Sequence, residues 1–208
     1  MLLRIHPDNP GERHLKIISD CLRHDGVIIY PTDTVYGMGC DITRIRAVNR
    51  IAQIKGIRRE KANFSFICSS LSQLSDFSRP IPNNIFRLMK KTLPGPYTYI
   101  LSASNNVPHF FQSSKKTVGI RIPDHRIPLK IVEVLGNPIM TTSIHHDDQF
   151  LDYPTDPGLI YEMFRKLVDI VIDGGPCGFI PSTVIDCTHD EPVITRRGKG
   201  GIDDLLHG

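Results

Sequence analysis

Four apolar residues in a row, Val27-Ile28-Ile29-Tyr30, stand between a helical pattern and a proline, and this junction constrains the fold more than any other stretch. Upstream, Leu15, Ile18 and Leu22 recur at helical spacing with Cys21 beside them, and Gly26 ends the pattern. The apolar run is too short for a helix and reads as a buried strand. It delivers Pro31-Thr32-Asp33-Thr34: a proline that pre-sets one turn, two hydroxyls and a carboxylate. Gly37 and Gly39 follow, where backbone can be approached closely. The loop reads either as a turn that caps the next helix or as one wall of a binding site.

The same alternation continues. Ile45, Val48, Ile51 and Ala52 share a helical face, with Thr43 or Asp41 as candidate caps, and the helix ends near Lys55-Gly56. Residues 64–68 read as a strand, and 83–93 as a helix stopped by Pro94-Gly95-Pro96. Strands are expected over 97–101, 118–122, 139–142, 170–173 and 183–186, with helices over 128–135 and 158–167. Prolines and glycines punctuate these elements without collecting at a boundary. The expectation is one α/β (α+β) domain over residues 1–208 with a mixed sheet, a motif-bearing core over about 14–200, and no additional C-terminal domain. Arg196-Arg197-Gly198-Lys199-Gly200-Gly201 reads as the entry to a flexible basic tail.

Composition narrows the function classes. With 25 Lys and Arg against 22 Asp and Glu, the net charge of +3 lacks the strong bias of a dedicated nucleic-acid binder, yet permits a local funnel for phosphates. Five scattered cysteines without a Cys-x-x-Cys pair argue against a disulfide framework or structural zinc. No signal peptide and no run of about 20 apolar residues is present, so a cytoplasmic location and no membrane partner are expected. Phosphate-loop, dinucleotide, nucleophile-elbow and zinc-helix motifs are all missing. Any phosphate must then be held by side-chain cations and loop amides.

Three further stretches carry chemistry. Lys55-Gly56-Ile57-Arg58-Arg59-Glu60-Lys61, with Asn63 beyond, is either a solvated loop or a cationic lip that neutralises phosphates. Arg121 stands inside an apolar alternating strand and needs an anion if it points inward: an internal carboxylate, Asp33 or Asp124, or the carboxylate of a ligand. Thr141-Thr142-Ser143 and Pro181-Ser182-Thr183 put hydroxyls at strand ends, where they either cap or bind small anions. In His145-His146-Asp147-Asp148 adjacent side chains splay apart, so at most two can share an ion, and no protein-held metal site is expected.

Taken in order, these motifs resemble the YrdC/YciO family. The matching stretches are Pro31 to Gly37, Lys55-Gly56 with its arginines and Asn63, Leu93 to Thr98, Thr117 to His125, Thr141 to Ser143, Pro181 to Asp186, and Arg196-Arg197-Gly198. The resemblance implies a twisted open domain with a large, positively lined concave cavity. It implies ATP, L-threonine and bicarbonate as substrates, Mg²⁺ held mainly by the phosphates, and synthesis of threonylcarbamoyl-AMP for tRNA modification by a nucleotidyltransferase. Carried over by position, Thr34, Arg121, Thr142 and Ser182 would hold threonine. Lys55, Arg58 or Arg59, Asn63, Thr117, Ser143 and Arg196 would hold the nucleotide, with Lys55, Arg58 and Ser143 as the catalytic group. Two departures, Ile57 in the slot of an Arg and His145 in that of an Asn, are characteristic of the YciO branch. Binding of double-stranded RNA or tRNA by the basic cavity, or transfer chemistry on another carbamoyl or adenylyl substrate, are the alternatives.

Overall fold

The computed structural model describes residues 1–59, 64–111, 116–144, 154–189 and 191–201. Among them ten strands form one mixed sheet: β1 (Leu2–Arg4), β2 (Ile28–Tyr30), β3 (Gly37–Asp41), β4 (Ser65–Ile67), β5 (Tyr97–Ser102), β6 (Thr117–Arg121), β7 (Ile139–Ser143), β8 (Ile170–Asp173), β9 (Thr183–Asp186) and β10 (Val193–Arg196). Their spatial order is β1-β8-β2-β3-β7-β4-β6-β5-β9-β10. The pairs β1–β8, β2–β8, β4–β6 and β5–β9 are parallel and the other neighbours antiparallel. Six helices pack on it: α1 (Glu12–Arg23), α2 (Ile45–Ile54), α3 (Leu71–Phe77), α4 (Asn83–Thr92), α5 (Arg126–Leu135) and α6 (Pro157–Phe164).

Side chains alternate across a strand, so the register sorts this sheet into two unlike faces. One face carries Ile29, Met38, Cys40, Phe66, Val118, Ile120, Tyr99, Met140 and Ile185, and α2, α3, α4 and α6 bury it with Val48, Ile51, Leu74, Met89 and Ile160. Near one edge, the other face carries Ile28, Tyr30, Ile67, Ile139, Ile170 and Ile172, covered by Ile18 and Leu22 of α1 and Ile131 and Leu135 of α5. Among the described residues two helices cover that face. Beyond them it continues with Gly37, Gly39, Thr141, Ser143, Ser65, Gly119 and Thr117, all small or hydroxylated.

The expected helices and strands are present with ends moved by a few residues. β1, β10 and α3 were not expected, and β3 falls where the sequence reads as a glycine loop. Its glycines answer a packing demand: a Cβ at Gly39 would strike the Met140 carbonyl and the Ile139 side chain, and one at Gly37 would press on Tyr30 and Thr141. Neither expected cap closes α2, whose N-cap is Arg44; Asp41 instead accepts from Thr43 N at 2.8 Å and its hydroxyl at 2.9 Å. The run 196–201 is also tied down, correcting the expectation of a flexible tail. Gly198 N donates to Thr183 Oγ1 at 3.0 Å, Lys199 N to Pro181 O at 2.8 Å, and Tyr97 OH to Gly201 O at 3.0 Å. All five cysteines are free thiols.

Candidate functional site

The half of the polar face that no described helix covers is bounded by the Pro31–Thr34 turn. Thr32 organises it: its Oγ1 donates to Val35 O at 2.7 Å, accepts from Thr34 N at 3.0 Å and lies 3.0 Å from Thr34 Oγ1. Both threonines are buried. This is the Ser/Thr turn that the spacing suggests, but it caps no helix and runs directly into β3.

The turn is clamped from several sides. Arg121, at the end of β6, ion-pairs through Nη2 with Asp33 Oδ1, both side chains nine-tenths buried. Of the two carboxylates considered for Arg121, Asp33 is the partner. Burial lowers the Arg121 pKa and Asp33 works against that shift; the guanidinium stays charged. Lys199 Nζ reaches Asp33 O at 2.5 Å. The segment after β8 lies across the turn: a Cβ at Gly174 would meet Pro31, one at Gly178 would meet Thr34 O, and Tyr36 OH donates to Gly175 O at 2.7 Å.

Two titratable groups share this neighbourhood. Burial pushes the Cys177 thiol up to about 11, and Asp33 adds to the rise, while a hydrogen bond with the Thr32 backbone and the charges of Lys199 and Arg121 oppose it. Burial also lowers the His125 pKa, opposed by Asp33, Asp8 and Asp124. His125 Nδ1 accepts from Ile127 N at 3.2 Å as the N-cap of α5, so its ring has a structural duty.

A second cluster closes the far side. Ser182 Oγ lies 2.8 Å from Thr98 Oγ1 and accepts from Arg196 Nη2 at 3.2 Å, while Arg196 Nε donates to Ser182 O at 3.2 Å. Alternation puts Thr98 and Arg196 on the same face as Arg121 and Thr117. A cavity of about 320 Å³, lined by Lys91, Thr92, Pro96, Tyr97, Lys199 and Gly201, lies beside Lys199.

The basic loop meets the face at its third side. Lys55 is buried, and its Nζ donates to Ser143 O at 3.0 Å, at the point where Ser143 pairs with Gly37. Arg59 turns back to Asn49 Oδ1 of α2 at 3.2 Å, and Arg58 and Ile57 are exposed. Lys55 thus reaches the end of β7 beside Ser143, whereas the described position of Arg59 points along α2. Asn63 and His145 lie outside the described residues.

Of the expected threonine-side residues, Thr34, Arg121 and Ser182 border the same face. Thr142 does not share it: in β7, Thr141 and Ser143 point one way and Thr142, opposite Met38, the other. Tyr30 OH donates to Thr141 Oγ1 at 2.5 Å. Sequence reasoning passed over Tyr30, Thr141, Thr98, Cys177 and Lys199 as site residues. The period-two count from Met140 contained the signal for Thr141, and the dense Gly174-Gly175-Pro176-Cys177-Gly178 contained the signal for the covering segment. Among the described residues no three His, Cys, Asp or Glu side chains are grouped to hold a metal ion, and no helix is long and apolar enough to cross a membrane.

Comparison with known proteins agrees with this architecture. The Sua5/YciO/YrdC family model, described as telomere recombination, matches residues 20–198. The uncharacterized protein YciO of Escherichia coli K12 is 40% identical over 204 residues, 97% of either chain. Its crystal structure superposes with a TM-score of 0.90 over 99% of both chains. Threonylcarbamoyl-AMP synthase of Pyrococcus abyssi is 33% identical over 195 residues, 93% of this chain but only 56% of that protein. The P. abyssi Sua5 structure complexed with L-threonine matches with a TM-score of 0.89 and 30% identity, covering 99% of this chain and 59% of that one.

Proposed function

Because the chain belongs to the Sua5/YciO/YrdC family, we propose that it joins L-threonine, bicarbonate and ATP into threonylcarbamoyl-AMP, releasing pyrophosphate, for tRNA modification. One observation carries the reading. A sheet face rich in glycine and hydroxyl residues is bordered by Lys55, Arg121, Arg196 and Lys199, in a chain similar to a threonylcarbamoyl-AMP synthase over 93% of its length. Small residues make room, and cations at the margin suit a substrate that carries a carboxylate and a triphosphate.

The proposed chemistry needs no protein nucleophile. The threonine amine takes up bicarbonate with loss of water, giving a carbamate. A carbamate oxygen attacks the α-phosphorus; the new P–O bond forms as the bond to the pyrophosphate oxygen breaks. Holding three reactants in line replaces their collision in solution, an advantage worth about 7–11 kcal/mol when the geometry is productive. Thr34, Arg121 and Ser182 take the threonine side. Lys55, Ser143, Thr117 and Arg196 take the nucleotide side, joined by Arg58, Arg59 and Asn63 on the strength of their places in the family's motif. From Thr141-Thr142-Ser143, the side chains proposed to face the reactants are Thr141 and Ser143, since Thr142 falls on the opposite face of β7. The described residues offer no carboxylate cage, so Mg²⁺ would arrive on the triphosphate and neutralise it there.

The test is pyrophosphate release from ATP, bicarbonate and Mg²⁺, with and without L-threonine. Threonine-dependent release, reduced by Lys55→Met, is expected. Release that ignores threonine, or none at high protein concentration, overturns the proposal.

A further inference from the structure

The Asp33–Arg121 pair is one-armed. A guanidinium and a carboxylate commonly meet through two parallel bonds, using Nε and the second carboxylate oxygen as well. Here Nη2 and Oδ1 are joined, while Arg121 Nε and Asp33 Oδ2 are buried without a hydrogen-bond partner among the described residues. A buried donor and a buried acceptor left unmatched in one pair cost free energy that a second arm would recover. The backbone is not slack: Lys199 holds the Asp33 carbonyl, and Thr32 holds the following amide.

We propose that these two orphaned atoms receive a zwitterion: Arg121 Nε donates to a carboxylate oxygen of the ligand, and Asp33 Oδ2 accepts from its α-ammonium. The assignment rests on the threonine reading of the site and deepens it, making Asp33 the residue that selects a free amino acid. Other small ligands fit the pair worse. A hydroxy or keto acid would satisfy Nε but leave Asp33 Oδ2 unmatched by any cation and set two carboxylates against one guanidinium. A simple amine would satisfy Oδ2 and leave Nε unmatched. A ligand with both charges on one carbon spans the pair and leaves its charge balance unchanged, which no singly charged ligand does. The neighbouring Thr34 and the Ser182–Thr98 pair are left for a hydroxylated side chain.

The experiment is calorimetric binding, without ATP, of L-threonine and of its analogue with hydroxyl in place of the α-amino group. Wild type should prefer threonine by roughly tenfold or more, the scale of one hydrogen bond to a charged group. Asp33→Asn, checked for folding by its melting curve, should bind the two compounds alike, chiefly through weaker threonine binding. Equal binding of both by wild type overturns the assignment, and needs no variant. Equal weakening of both by Asp33→Asn overturns it too, because Asp33 would then only aim Arg121. Binding of neither by wild type removes the threonine reading and this assignment together. Discrimination without pyrophosphate release removes the synthase reading alone and leaves the assignment standing.

Discussion

Replacing Arg121 by Met keeps the length and apolar stem of the side chain and deletes the guanidinium. Asp33 then remains in a site where its side chain is 10% exposed, with its ion-pair partner gone. Solvent-exposed pairs are worth about 0–1 kcal/mol, because water takes over the lost contact. At this burial water is excluded, and an uncompensated buried charge costs about 3–5 kcal/mol. For a chain of 208 residues, with about 2–4 °C lost per kcal/mol, the melting temperature should fall by on the order of 10 °C. Urea unfolding followed by circular dichroism measures it: the midpoint should drop with the slope unchanged, as expected when compactness is unaltered. The decisive sample is Asp33→Asn/Arg121→Met. Removing both charges removes the penalty, so the double variant should be more stable than Arg121→Met alone, with a clear coupling energy between the sites. A single-variant loss below about 1 kcal/mol would mean the pair is effectively solvated. A double variant no better than the single would mean that Arg121 stabilises through packing rather than charge. Either result refutes a buried pair held by charge.

Three other outcomes follow from the same contacts. Gly39→Ala should cost about 1–3 kcal/mol in urea unfolding, since the added methyl meets the Met140 carbonyl and Ile139 across the β3–β7 ladder; a neutral effect would show that the ladder yields freely. His125→Asn should preserve the α5 cap and flatten the dependence of stability on acid. Burial holds the native ring below its ordinary value of about 6.5, so the unfolded chain binds a proton that the native one refuses, and wild-type stability falls as pH drops below about 6.5. An unchanged profile in the variant would exclude His125 as the source. Cys177, pushed up to about 11, should react with iodoacetamide at pH 8 far more slowly in native protein than in urea; equal rates would contradict the burial assigned to it.

Much of the architecture was legible because it follows from local pattern. The three-residue strand after Gly26, the helical face ending in Ile51 and Ala52, and the stop at Pro94-Gly95-Pro96 are set by periodicity and by residues that cannot continue a helix. β3 was missed because Gly37 and Gly39 are poor strand formers. They sit in a strand because Tyr30, Ile139 and Met140 press against it from distant parts of the chain, a demand that no local window contains. The 196–201 segment was misread for a related reason. Its glycines and basic residues suggest a loose end, yet Gly198 and Gly200 are closely packed on Pro181, Ser182 and Tyr97.

The candidate site divides along the same line. Sequence alone determined its ingredients: Thr34, Lys55, Arg121, Ser143, Ser182 and Arg196 stand in motifs whose order marks the family, and chemistry limits what hydroxyls and guanidiniums can hold. Tertiary structure decided which of them face one another. Strand register turned Thr141 toward the site and Thr142 away, a difference of one residue that reverses a side chain. The ten-strand order brought Asp33 against Arg121, 88 positions apart, and settled an open choice between Asp33 and Asp124. Composition and spacing are properties of the chain in one dimension, whereas the partner of a buried charge depends on which strands lie side by side.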